Sequence, residues 1–328
     1  MDELNVILVE FILILFQRGE MKRDFLAISD FSKEELLNML NLAINLKQEY
    51  FSSQNLPLLK GKVLAMIFSK PSLRTRISFD MAMHHLGGDA LFISPDEIGL
   101  GKRESIADVA RVLSGYVHAI MARVFDHQHV LDLAKYASIP VINGLSDYNH
   151  PCQALADCLT ILEHFGKIEG LKIAYVGDGN NVAVSLMHAC AKFGADFAIA
   201  SPDGYQINPA AINILKEISD SSGNEFLFLR DPYEAVKDAD VVYTDTWTSM
   251  GQEAEAQKRG KVFPPYQVNS KLLSSAKKTA IVMHCLPAHR GHEITDEVAD
   301  GPQSAIFQQA HNRLHAQKAI LVNLLKEE

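Results

Sequence analysis

The residues best suited to chemistry in this chain are Ser72-Leu73-Arg74-Thr75-Arg76, which set two hydroxyls and two guanidiniums in one short run. The residues before them, 63–68, read as a buried strand. Those after them carry helical spacing as far as Leu86, where Gly87-Gly88 supplies a stop. The run therefore falls on the first turn of a helix. Free backbone N–H groups and the positive end of the helix dipole make such a turn an anion site. Arginine adds paired donors that match phosphate or carboxylate. The plainer alternative is a capped helix with two solvated arginines, which puts cations where the dipole disfavours them unless an anion is present.

Four other groups attract notice. Arg123 closes a short apolar run at 119–122. His150 and Gln153 stand three apart on the first turn of a helix opened by Pro151, so they face one way, although a lone His there also serves as a cap. His284-Cys285 ends another apolar run; such a Cys is a nucleophile, a proton acceptor or an inert buried thiol, and residue type alone favours the last. Gly177-Asp178-Gly179-Asn180-Asn181 has the look of a dinucleotide turn but lacks the third glycine of G-x-G-x-x-G. Its paired asparagines suit a carboxylate or a helix cap.

The elements that must position these residues alternate. Ser32 with Glu35 forms a capping box opening a helix to about residue 50. Strands are expected at 63–68, 90–93, 119–122 and 140–143, with helices at 104–116 and 126–137 between them. Residues 94–103 hold two glycines and no periodicity, which predicts a loop at a mobile place or a subunit contact. A long helix from 150 to about 165 links to a second series: strands at 172–176, 197–200, 225–228, 241–244 and 279–283, and a last helix over 307–326 carrying Arg313. This βα rhythm predicts parallel sheets with helices on both faces, whose ligands sit at strand C-terminal ends. The Ser72 turn, Arg123 and the segment after Asn143 all fall on that edge. Trp247, the only tryptophan, sits in a polar-flanked loop ending at Gly251 and reads as part of a lid.

With 328 residues, 48% hydrophobic and 22% charged, the chain has the make-up of a soluble protein of two ordinary domains. A net charge of −9 argues against non-specific nucleic-acid binding. Cys152, Cys158, Cys190 and Cys285 form no CxxC pair and no zinc spacing, as suits a reducing compartment. Residues 5–16 are apolar except for Asn5 and Glu10, too short to span a bilayer, and acidic Asp2 and Glu3 precede them where a signal peptide carries positive charge. We expect residues 1–20 to be an extension outside the fold, from a start codon placed too far upstream.

Five patterns occur in order: Ser72-x-Arg-Thr-Arg76, Arg123 at a strand end, His150-Pro-x-Gln153, Asp245-x-x-x-Ser249-Met-Gly251 and His284-Cys-Leu-Pro287. Together, from about Met21 onward, they resemble the ornithine carbamoyltransferases of the aspartate/ornithine carbamoyltransferase family. The first three are shared with other carbamoyltransferases; the Ser-Met-Gly loop and His-Cys-Leu-Pro point to ornithine. The resemblance implies two three-layer αβα domains with parallel sheets, an active site in the cleft between them and a C-terminal helix returning to the first domain. It divides the chain into a carbamoyl-phosphate-binding domain, 21–151 plus helix 309–328, and an ornithine-binding domain, 152–308.

The same resemblance implies carbamoyl phosphate and L-ornithine as substrates, L-citrulline and phosphate as products, arginine biosynthesis as the role, and a cytoplasmic homotrimer. No metal, organic cofactor, nucleic acid or membrane is expected. It assigns the phosphate to Ser72, Leu73, Arg74, Thr75, Arg123 and Arg313, with His150, Gln153, Cys285 and Leu286 around the carbamoyl group. Asn181, Asp245, Ser249 and Met250 take ornithine. Arg123, His150 and Cys285 are its catalytic candidates, Cys285 as a proton acceptor or as a positioning group. This chain departs from the common pattern at Leu73, Gly99, Gln308 and His311; the last two are expected to loosen the support of Arg313. Rival readings are a carbamoyltransferase for putrescine or an acylated ornithine, a catabolic ornithine enzyme, a nucleotide-dependent oxidoreductase built on Gly177-x-Gly179, and a non-catalytic scaffold.

Overall fold

Strand β1 (Val63–Phe68) begins the first sheet, and its apolar residues alternate between two cores as a two-residue period requires. Leu64, Met66 and Phe68 enter one cluster, and Ile67 enters another on the opposite face. The computed structural model describes residues 22–101, 103–219, 223–248 and 253–326. The expected N-terminal extension lies outside them.

The chain runs through α1 (Lys33–Phe51), β1, α2 (Leu73–His85), β2 (Asp89–Ile93), α3 (Pro95–Ile98), α4 (Ile106–Ser114), β3 (Ala119–Arg123), α5 (His127–Tyr136) and β4 (Val141–Leu145). These strands form a four-stranded parallel sheet in the order β2-β1-β3-β4. Helix α6 (Pro151–Phe165) then leads to β5 (Lys172–Val176), α7 (Asn181–Phe193), β6 (Asp196–Ala200), α8 (Pro209–Ser219), β7 (Phe226–Leu229), α9 (Pro232–Val236) and β8 (Val241–Thr244). After α10 (Ala256–Val262) and α11 (Ser270–Leu273) come β9 (Ile281–His284), α12 (Asp296–Ala299) and α13 (Ile306–Leu325). The second sheet is parallel too, in the order β7-β6-β5-β8-β9.

Both sheets are covered on both faces, as parallel sheets are. In the second sheet, Ile173, Tyr175, Tyr243 and Met283 join the same cluster as Leu64 and Met66 of the first, while Ala174, Val176, Val242 and Val282 face a separate core. One apolar body thus runs between the two sheets and takes in the apolar faces of α6 and of the C-terminal half of α13. Helix α13 packs on α1, α2 and α6, so the end of the chain returns to the first sheet's side. Lys318, with no exposed surface, reaches the Leu46 carbonyl at 3.2 Å and Asn55 Oδ1 at 3.0 Å near the end of α1.

Three expectations need correction. Residues 94–103 are not all loop: Ser94 and Glu97 close a capping box, the Ser94 N–H donating to Glu97 Oε2 at 2.6 Å, and α3 follows. Trp247 is no lid residue. It is 7% exposed and stacks on Phe263 at 5.8 Å, inside the outer core of the second sheet. The sequence reading also passed over α8, α9, α10, α11 and α12.

Candidate active site

The anion turn is built as its residues dictate. Ser72 is the N-cap of α2, and its Oγ accepts from the Thr75 N–H at 3.2 Å. Thr75 is buried, and its Oγ1 receives Arg123 Nη1 at 3.4 Å and Arg313 Nη2 at 3.2 Å. Arg123 ends β3 and Arg313 comes from α13. Arg74 lines the same cavity, whereas Arg76 turns away to lie 4.0 Å from the centroid of the Phe92 ring. The two guanidiniums of the motif are therefore separated, and only the first serves the cavity.

That cavity, of about 520 Å³, is lined by Ser72, Leu73, Arg74, Thr75, Arg123, His150, Gln153, Asn181, Asp245, Cys285, Leu286 and Arg313. Of the candidate site residues, Ser249 and Met250 lie outside the described residues. Lys70, Leu145, Val182, Thr246 and His289 also line it and were not read from the sequence. Lys70 immediately precedes Pro71 and the anion turn, so its position was a usable signal; Leu145 and Val182 carry none, being apolar among many.

One end of the cavity is strongly cationic. No carboxylate of the described residues pairs with Arg74, Arg123 or Arg313 within 4.0 Å. Burial, aided by the charge of Arg313, lowers Arg123 to about 10, the mark of a cation held without a counter-ion. His150, at the N-cap position of α6, has its backbone N–H fixed to Ser185 Oγ at 2.8 Å. Burial, then the charges of Arg313 and Arg123, hold its imidazole well below the usual range. It is a neutral ring, able to donate one N–H. Gln153 Oε1 receives Arg313 Nη1 at 2.8 Å.

The other end is built on β5, β8 and β9. Asn180, not Asn181, caps α7: its Oδ1 accepts from the N–H groups of Val182 and Ala183, and its Nδ2 donates to Asp245 Oδ2 at 2.8 Å. Asn181 Nδ2 donates to the Ser146 carbonyl at 2.6 Å. The Cys285 thiol donates to Asp245 Oδ1 at 3.0 Å, and burial with that carboxylate pushes the thiol well above its ordinary range. His284 stands behind it. Its Nδ1 accepts from the Leu286 N–H at 2.9 Å, so its other nitrogen carries the proton toward Glu293 at 3.2 Å. Asp245, His284 and Cys285 hold ligand-type atoms within 4.8 Å of one another, yet each is committed to these bonds.

At the Gly177-x-Gly179 turn the chain passes close to its own backbone. A Cβ on Gly179 would lie 2.3 Å from the backbone N of Ile207. The glycine makes room for the chain's own crossing. The turn of α13 that carries Arg313 is anchored to α6 and α1 through its neighbours. Gln308 and Asn312 both donate to Glu163, at 3.0 and 2.9 Å, and Lys47 bonds Glu163 and Asn312.

Comparison with known proteins places both halves of this geometry. Residues 23–163 match the model of the aspartate/ornithine carbamoyltransferase carbamoyl-P binding domain, and residues 169–324 match that of the Asp/Orn binding domain. An ornithine carbamoyltransferase of Anoxybacillus flavithermus is 57% identical over 303 residues, 92% of this chain and 96% of that one. One of Pyrococcus furiosus, named as anabolic, is 56% identical over 91% of this chain and 95% of its own. The solved ornithine carbamoyltransferase from Pyrococcus furiosus superposes with a TM-score of 0.90, covering 93% of this chain and 97% of that chain at 55% identity.

Proposed function

This chain belongs to the aspartate/ornithine carbamoyltransferase family, and we propose from that premise that it carries the carbamoyl group of carbamoyl phosphate to the δ-amine of L-ornithine. The products are L-citrulline and phosphate, and the role is arginine biosynthesis, in keeping with the similarity to the anabolic enzyme. The observation that carries this reading is the polarity of a single cavity. Three guanidiniums without carboxylate partners gather at one end, and Asp245 with Cys285 stands at the other.

In this reading the phosphate lies on the first turn of α2, held by Ser72, the Leu73 backbone, Arg74 and Thr75, with Arg313 adding charge from α13. Arg123 spans phosphate and carbamoyl oxygen, and the neutral imidazole of His150 donates to that oxygen. Both stabilise the oxyanion that forms as the amine attacks the carbonyl carbon. The carbon–oxygen bond to phosphate then breaks, phosphate leaves with the electron pair onto the cationic end, and the attacking nitrogen gives one proton to the departing phosphate. Gln153 holds the carbamoyl amide. Asp245 takes the α-amino group of ornithine and Asn181 the α-carboxylate, with Ser249 and the Met250 backbone completing that end. Cys285 stands near the attacking amine as a positioning group, because its thiol keeps its proton.

The division of labour follows the two sheets: residues 21–151 with helix 309–328 for carbamoyl phosphate, and residues 152–308 for ornithine. A cytoplasmic location belongs to the same reading, supported by four cysteines that are all free thiols. So does a homotrimer. Leu73, Ile77 and Met81 form an exposed apolar stripe on α2, beside exposed Leu91 and Phe92 on the edge strand β2. An edge strand with an apolar flank needs a cover.

The test is citrulline formation from carbamoyl phosphate with L-ornithine, compared with putrescine, N-acetylornithine and L-aspartate as acceptors. Turnover with L-ornithine at least a hundredfold above the others is expected. A preference for putrescine or N-acetylornithine would keep the phosphate end and overturn the ornithine end.

A further inference from the structure

Asp157 is a fully buried carboxyl with no part in the mechanism above. It stands on α6 one turn after Gln153, and its Oδ1 accepts Gln153 Nε2 at 2.8 Å. The same oxygen accepts Gln309 Nε2 from α13 at 2.7 Å, and Oδ2 accepts the Tyr243 hydroxyl from β8 at 3.2 Å. Gln309 Nε2 also donates to the Tyr243 oxygen at 2.9 Å.

We propose that Asp157 is a positioning residue which fixes the side-chain amide of Gln153, so that its oxygen and not its nitrogen is presented to the carbamoyl amide. The inference rests on the carbamoyl-transfer reading. An amide has a donor end and an acceptor end of nearly equal shape, and only its partners decide which way it lies. Arg313 supplies donors alone and cannot accept, so it asks Gln153 for an oxygen, as it receives at 2.8 Å. Asp157 Oδ1 supplies the matching acceptor on the other side. The substrate's carbamoyl nitrogen carries two N–H groups, and the second lone pair of Gln153 Oε1 complements one of them. A flipped amide would set N–H against both Arg313 and the substrate.

Ionisation does not undo this arrangement. Burial lifts the carboxyl to about 7 against the pull of its donors. Of the three partners only the Tyr243 hydroxyl is able to turn round and accept, so a proton on Asp157 goes to Oδ2, and Oδ1 remains an acceptor. The same oxygen fixes a second amide. With Gln309 Nε2 drawn to Asp157, Gln309 Oε1 is free to accept the backbone N–H of His284 at 2.8 Å, the residue before Cys285. One buried carboxyl therefore orients an amide toward each end of the cavity.

The experiment measures KM and kcat for both substrates in the full chain bearing Asp157→Leu, with Tyr243→Phe as control. Tyr243→Phe removes a bond to the same carboxyl but leaves the Gln153 contact, and it is expected to stay within twofold of wild type. Asp157→Leu is expected to lower kcat/KM for carbamoyl phosphate by at least tenfold, the weight of one or more buried hydrogen bonds, with KM for L-ornithine changing less than threefold. Should Asp157→Leu fail to fold, the isosteric pair Asp157→Asn with Tyr243→Phe decides. There the new amide nitrogen has no hydroxyl to meet and, with Gln309 Oε1 held by the His284 N–H, is satisfied by a turned Gln153, so the same loss is expected. A folded variant of either kind with wild-type kinetics toward carbamoyl phosphate overturns the inference. So does a loss in Tyr243→Phe equal to that in Asp157→Leu, which would mark the network as purely structural. A wild-type protein that forms no citrulline from L-ornithine overturns the carbamoyl-transfer reading and takes this inference with it.

Discussion

Cys285 donates its proton to Asp245, and burial holds that proton on sulfur above the ordinary thiol range. A group in that state does not accept a proton from an amine. The δ-amine of ornithine, with a reference value near ~10, must then shed its ammonium proton in solution. Below that value each pH unit lowers the neutral fraction about tenfold. Hence kcat/KM for L-ornithine should rise close to tenfold per unit from about pH 7 to about pH 9 in the wild type. The sign follows from the substrate, so Cys285→Ala should lower the rate but keep the same slope. A slope that disappears in Cys285→Ala would restore the thiolate as the base. Most residues of this site were legible because they stand within a few positions of a strand end or helix start; Arg313, well inside α13, was reached only through the resemblance. Asp157 was not legible: its partners Gln309 and Tyr243 are 152 and 86 residues away, and nothing local marks a buried carboxyl as an orienting group. Trp247 misled for a related reason. Its neighbours in sequence are polar, while the Phe263 ring that buries it arrives from beyond the following helix.

The N-terminal turn of α2 carries most of the phosphate reading. Its first N–H groups have no intrahelical partner, and Ser72 satisfies one of them, that of Thr75. An anion that docks there stabilises the folded chain by mass action, about 2.7 kcal/mol at a hundredfold excess over Kd. Inorganic phosphate should therefore raise the melting temperature of the wild type in a saturable way. Ser72→Ala should lower the temperature without phosphate, since a lost cap costs about 1 kcal/mol. It should also shrink the phosphate-induced rise, because the hydroxyl is itself a ligand. An undiminished rise in Ser72→Ala would place the phosphate elsewhere in the cavity. Most long elements, α8 excepted, were readable from periodicity, since burial on two faces writes near-continuous apolar strands between amphipathic helices. Helices of four or five residues such as α9, α11 and α12 are too short to show a period, and α3 was hidden by its flanking glycines. Ser94-Pro95-Asp96-Glu97 carries the same capping-box spacing as Ser32 to Glu35, yet Gly99, at φ +52, ends that helix after four residues.

At the scale of the whole molecule the two sheets share one apolar body, and α13 ties the second sheet's end to the first, which brings Arg313 to Thr75 across 238 residues. What this arrangement leaves uncovered is the flank of the first sheet. Leu73 is 73% exposed, Ile77 49% and Leu91 52%, next to the edge strand. Each such side chain gains about 1.5–3 kcal/mol when fully buried, and a symmetric assembly buries the patch on every copy. We expect sedimentation to give a species of three times the 36.4 kDa chain mass. Ile77→Lys with Leu91→Lys sets an unpaired ammonium into that contact on each protomer. The cost of desolvating those charges exceeds what the lost contacts leave, so the assembly should fall apart to single chains. Because α2 carries the anion turn at one end and this stripe along its length, the dissociated protein should also lose affinity for carbamoyl phosphate. A double variant that sediments as the wild type does would move the interface away from α2 and β2.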